Sequence, residues 1–281
     1  MTASRDYLGV ELVYDRTITD GDVASWLEHW LLTSAGAWAA NAAVRVWDPA
    51  RSRRETIDLS RPGKLGEALA AHTRWFDGRH AGAVELRGAT REYAILVGIN
   101  DNPISWNGDS LLLGNQLCLQ VMRKTVDDKP QEEFAREFLD AACRATSPMW
   151  AAMYRLSEYV AKVMQLSPSI EDIGRDFGRF LPALFAVNYF GERYVSLFGK
   201  ERVATVDQRM IEQVGSGVIV SVASPGLWQA ADATYAQVLD ALGREHFFDR
   251  DDRDRVTVAP DFGDSRAPLT NDPIQLRGGA V

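Results

Sequence analysis

The sequence predicts an α+β fold with mainly antiparallel sheets and helices packed on one face. Three observations carry that reading. Strands with alternating apolar residues come in neighbouring pairs. Short turn sequences join the members of each pair. Helical stripes fall between the pairs without the steady strand–helix beat of a parallel sheet. One pair sets Val84 and Leu86 against Tyr93, Ile95, Val97 and Ile99 across Gly88-Ala89-Thr90-Arg91. The other sets 210–214 against 218–222 across Gly215-Ser216-Gly217. A hairpin followed by a helix thus occurs at 83–143 and again at 209–242. That echo leaves open two related α/β halves, 1–165 and 166–248, within one domain spanning 1–248. After Phe248 the composition turns to Asp, Arg, Pro and Gly, so 249–281 is expected to pack little or to be disordered.

The remaining elements follow in order. Val10, Leu12 and Tyr14 alternate as a half-buried strand. Thr19 and Asp20 stand where a cap is wanted for a helix. Its Val23, Trp26, Leu27, Trp30 and Leu31 fall at i, i+3, i+4, i+7 and i+8, a buried stripe. Val44 and Val46 suggest a second strand. Arg51-Ser52-Arg53-Arg54 reads as a solvated loop, and Ile57 and Leu59 as a strand beyond it. Pro62 precedes a helix with Leu65, Ala68, Leu69 and His72 on one side. Leu117, Leu119 and Val121 form another strand. Asp127-Asp128-Lys129-Pro130 opens a helix that buries Phe134, Phe138, Ala141 and Ala142. From Trp150 to Met164 the pattern fits both periods; a strand first and a helix or loop after it is the favoured division. Residues 170–177 are expected as a short helix. Asp232 caps a last helix with Tyr235, Val238, Leu239 and Leu242 inward and Gly243 at its end.

The 281 residues suffice for one large domain with a sizeable core. A formal charge of −8 disfavours nucleic acid and anionic membranes, and it favours a basic partner. Cys118 and Cys143 read as small buried hydrophobes in a reducing compartment. No signal peptide or membrane span is visible, so the expected location is the cytoplasm.

Catalytic signatures are lacking. His29, His72, His80 and His246 have no metal-ligand spacing. Ser216 lies in a strand-to-strand turn, not the strand-to-helix elbow of a hydrolase. No phosphate-binding glycine loop occurs. The adjacent acids Asp127 and Asp128, Glu132 and Glu133, and Glu171 and Asp172 sit near proposed helix starts, where the dipole favours them. No cofactor or metal is expected, and the chain reads as a protein without catalytic activity. An enzyme whose site is assembled from distant residues is one alternative; a structural or regulatory partner that reuses the same fold is the other.

The most apolar and aromatic run is 181–200. An extended aromatic segment turns at Gly191 into a short amphipathic helix that Gly199 ends. Within it, Asn188-Tyr189-Phe190-Gly191, Tyr194-Val195 and Phe198-Gly199-Lys200 resemble the central motif of the immunity protein 52-like families of bacterial polymorphic-toxin and type VI secretion systems. The similarity continues through Gly215-Ser216-Gly217, Ser224-Pro225 and the helix from Ala231 to Leu242, covering about 180–248. The resemblance implies an α+β immunity protein that binds and neutralises a cognate toxin. The acidic charge suits a basic toxin, and a homo-oligomer is open. The surface expected to meet the toxin is the loop from Asp101 to Asp109, with Trp106 as anchor between those two acids. The competing reading packs Trp106 under its own loop.

Overall fold

Eleven strands join in one sheet, and every pairing in it is antiparallel. The computed structural model describes residues 7–16, 18, 22–33, 43–46, 53–58, 62–72, 74–76, 79–87, 93–100, 115–122, 129–165, 171–174, 176–223 and 232–260. In chain order these form β1 (Tyr7–Val13), α1 (Asp22–Thr33), β2 (Ala43–Val46), β3 (Arg53–Thr56), α2 (Lys64–His72), β4 (Arg74–Phe76), β5 (Arg79–Arg87), β6 (Tyr93–Asn100), β7 (Gln116–Met122) and α3 (Lys129–Thr146). There follow β8 (Trp150–Arg155), α4 (Leu156–Val163), β9 (Met164–Gln165), β10 (Glu171–Asp172), β11 (Val187–Phe190), α5 (Glu192–Phe198), α6 (Lys200–Thr205), β12 (Ile211–Val214), β13 (Gly217–Ser221) and α7 (Asp232–Leu242). The sheet runs β12-β13-β11-β8-β1-β7-β6-β5-β2-β3, with β4 also on β5; β9 and β10 pair apart from it. This is the α+β, largely antiparallel fold that the hairpin pattern predicts.

Two cores lie on opposite faces of that sheet. On one face Leu8, Val10 and Leu12 of β1, Met153 of β8 and Tyr189 of β11 meet α1, α2 and α3. The paired tryptophans of α1 are core residues there: Trp30 sits edge-on to Phe138 of α3 at 4.8 Å, and Trp26 lies 5.6 Å from the same ring. On the other face Trp150, Ala152 and Tyr154 of β8 and Phe190 of β11 meet α4, α5, α7 and the segment from Phe177 to Phe185. Helices therefore cover both faces, where one was expected. The physical reason is visible in β8, whose first five residues are all buried in succession. A strand buried on both sides loses its alternation, which is also why the run 150–164 fits two periods.

The proposed halves share this sheet without a break, because β8 pairs with both β1 and β11. The echoed hairpins stand toward opposite ends of it. The helix that follows the first, α3, belongs to one core, and the helix that follows the second, α7, to the other.

Two local expectations are corrected. The basic stretch ending at Arg54 continues into β3, an edge strand paired with β2, rather than a loop. Its sequence, Arg-Arg-Glu-Thr, has no apolar alternation to betray it, as suits a strand at the edge of a sheet. The helix expected at 170–177 is replaced by β10 and two turns. Its amides find partners outside any helix: Ile173 and Gly174 both donate to the Val163 carbonyl at 2.9 Å. Residues 249–260, the described part of the expected tail, are mostly exposed and meet the body at a few points. The Val258 amide donates to the Glu245 carbonyl at 2.9 Å, and the Arg255 guanidinium bonds the Phe247 carbonyl and Asp249. Residues 261–281 lie outside the described residues.

Candidate functional site

The aromatic motif that carries the resemblance is built into the middle of the molecule. β11 lies between β8 and β13. Tyr189 points to one core and Phe190 to the other, as alternation requires. Asn188 is fully buried and folds back on its own chain. Its Oδ1 accepts from the Phe185 amide at 2.9 Å, and its Nδ2 donates to the Phe185 carbonyl at 2.8 Å. One side chain thus satisfies two backbone groups that have left the sheet.

Two glycines of the motif region are demanded by close approach. A Cβ on Gly191 would stand 2.6 Å from the Pro148 carbonyl oxygen and 2.8 Å from that of Met149. A Cβ on Gly217 would stand 2.5 Å from the Tyr189 ring and 2.6 Å from the Phe190 carbonyl oxygen. Gly191 also caps α5, which buries Tyr194 and Phe198 before Gly199, at φ 82°, ends it. Burial, with a smaller push from Cys143, raises the Tyr189 phenol to about 12. These rings are held neutral and packed.

Much of the ionisable surface around the motif is spent on holding elements together. Arg136 of α3 reaches Asp140 at 2.8 Å, Ser221 of β13 at 2.9 Å and Glu212 of β12 at 3.5 Å. Burial pushes the Asp140 carboxyl up, and Arg136 pulls it partly back. Lys162 of α4 donates to Glu158 at 2.7 Å and to the Leu184 carbonyl at 2.6 Å, and it lies 3.9 Å over the Tyr235 ring of α7. Glu11, in the centre of the sheet, is 3% exposed and accepts from the Tyr154 hydroxyl at 3.3 Å. Nothing in the sequence around Glu11 marks it as buried, because it sits on an alternation position read as outward. Among the described residues no group of three or more His, Cys, Asp or Glu is arranged to hold a metal ion.

The residues singled out by sequence are scattered. Asp101, Trp106 and Asp109, the expected contact loop, lie outside the described residues. His29 is exposed on α1, and Ser216 occupies the β12–β13 turn. His246 is buried, and its Nδ1 lies 3.0 Å from the Val258 carbonyl. Cys143 is buried, whereas Cys118 is only half-buried.

One concavity escaped sequence reading. α5, α6 and the edge strand β12 frame a groove of about 720 Å³. Val195, Val203, Ile211 and Val218 give it apolar walls, and Glu192 and Lys200 stand on it as charged groups. The sequence signal was faint: a second short helix directly after Gly199 and an alternation of only four residues in β12.

No family profile matches the sequence, and no curated protein matches it. Among solved structures, the chain is similar to a Pseudomonas aeruginosa T6SS protein, with 11% identity and a TM-score of 0.49. The likeness covers 84% of this chain and 72% of that one, and at this distance it carries no functional weight.

Proposed function

We propose that this protein is an immunity protein of a polymorphic-toxin or type VI secretion system: it binds a cognate toxin in the cytoplasm and neutralises it by occlusion, without catalysis. The observation that carries the reading is the burial of the Asn188-Tyr189-Phe190-Gly191 motif, all four residues of which are buried. On this reading the motif that resembles the immunity protein 52-like families acts as scaffold, so partner recognition falls to surface features around it. The net charge of −8 favours a cationic toxin, through faster encounter and complementary pairing. The loop Asp101 to Asp109 remains the proposed contact, with Trp106 filling a pocket on the partner.

Co-expression with the toxin encoded beside its gene tests the reading. Restored growth, lost again in Trp106→Ala combined with Asp101→Lys and Asp109→Lys, is the expected result. Undiminished killing by that toxin in the presence of the wild-type chain would refute it.

A further inference from the structure

We propose that the groove between β12 and the α5–α6 pair is a docking site for an extended segment of a partner protein, laid beside the free edge of β12. Three features of the groove point to that occupant.

β12 ends the sheet. Its register places Glu212 opposite Ile219 and Val214 opposite Gly217, next to a two-residue turn with Gly215 at φ 59°. In such a hairpin Val214 and Glu212 bond inward to β13, and the intervening Ile211 and Gln213 direct their backbone groups outward. The Ile211 amide is already used by the Gln208 carbonyl. The Gln213 N–H and C=O are left facing the open edge. A strand laid there would receive a pair of ladder bonds from them, the mode by which extended peptides add to sheet edges.

The side chains beside that edge are suited to a strand. Ile211 and Gln213 share the face that looks toward α5 and α6 with Val218 of β13, and Val195 and Val203 stand across from them. An apolar residue of the incoming strand would enter this wall, and its neighbours would point to solvent.

Charge fixes the direction. Glu192 and Lys200 have no ion-pair partner among the described residues, unlike Glu212, Arg193 and Arg202 nearby. Glu192 opens α5 and Lys200 opens α6, so they stand at the two ends of α5, whose seven residues span about 10 Å at 1.5 Å per residue. That distance equals about three residues of an extended strand. The partner segment therefore has a basic residue and an acidic residue three or four positions apart with an apolar residue between them, the base at Glu192 and the acid at Lys200.

A phage-displayed library of random dodecapeptides, selected on the full-length protein, tests this. Enriched sequences should show that base–apolar–acid pattern. The consensus peptide, measured by fluorescence polarisation, should weaken about fivefold with Lys200→Glu or Glu192→Lys, and the peptide with its acid and base exchanged should recover binding to the double variant. Both substitutions are at exposed positions, so the fold is preserved. No enrichment over the double variant, or binding indifferent to both substitutions, would overturn the proposal. Because the assay contains no toxin, its failure leaves the toxin-neutralising reading standing, and failure of the growth test leaves this one.

Discussion

Asn188 offers the sharpest test of how the central strand is held. Replacing it with Ala removes the partner of the Phe185 amide and of the Phe185 carbonyl in one step. Both groups stay buried in an otherwise apolar surrounding, because Phe185 itself is fully buried. An unsatisfied buried backbone group costs about 1–3 kcal/mol, so Asn188→Ala should lose about 3 kcal/mol in all. For a chain of this size that is a fall of about 6–12 °C in melting temperature. Asn188→Asp separates hydrogen bonding from volume. A protonated carboxyl reproduces both bonds, accepting from the Phe185 amide and donating to its carbonyl. An ionised one can only accept, and it faces that carbonyl in a buried site. Burial and the facing carbonyl raise the folded pKa above the unfolded value of about 3.9. The folded state then holds the proton more tightly, so stability is full below the unfolded pKa and is lost as pH rises through the folded one. The loss is about 1.4 kcal/mol for each pH unit between the two values. Urea unfolding at about pH 4.5, 6 and 7.5 should show Asn188→Asp near wild type in acid and falling away above it, while the deficit of Asn188→Ala stays constant. A deficit of Asn188→Ala under about 0.5 kcal/mol, or an Asn188→Asp curve parallel to wild type, would refute this account.

Other expectations follow from the same contacts. Gly191→Ala should lose about 1–3 kcal/mol in chemical denaturation, because its Cβ meets two backbone carbonyls that cannot turn aside, whereas Gly66→Ala, in open space inside α2, should gain about 0.5–1 kcal/mol. Phe138→Ala removes the ring on which both α1 tryptophans rest and should cost about 3–5 kcal/mol, read by urea titration together with a red shift in tryptophan emission. Lys162→Met leaves the Leu184 carbonyl and Glu158 without their shared cation and should cost about 2–3 kcal/mol; a change under about 0.5 kcal/mol would show that the α4–α7 clamp is not needed. Burial pushes the Cys143 thiol well up, so under native conditions Ellman's reagent should modify half-buried Cys118 first and Cys143 only as the protein unfolds.

Local pattern was a good guide wherever an element buries one face. The stripe of α1 is legible because Val23, Leu27, Trp30 and Leu31 all turn toward one sheet face. The turn at Gly215 and the stops at Gly199 and Gly243 are legible because each glycine has the positive φ that its position demands. Where a strand is buried on both faces or lies at a polar edge, the pattern failed. β8 is apolar from Trp150 to Tyr154, and β3 is polar throughout; both lack the alternation that marks a strand. The turn-rich stretch after Asp172 reads as helix because its apolar residues happen to fall near helical spacing, yet its amides are claimed by the Val163 carbonyl.

What the sequence alone determined was the fold class, the hairpins, most helices and the aromatic centre, since these depend on contacts a few residues apart. Only the tertiary structure decided that helices cover both faces, that Glu11 is buried beside Tyr154, and that a groove opens between α5, α6 and the sheet edge. Those features come from residues brought together across long stretches of chain, such as Glu11 and Tyr154, 143 positions apart, and no local periodicity records them.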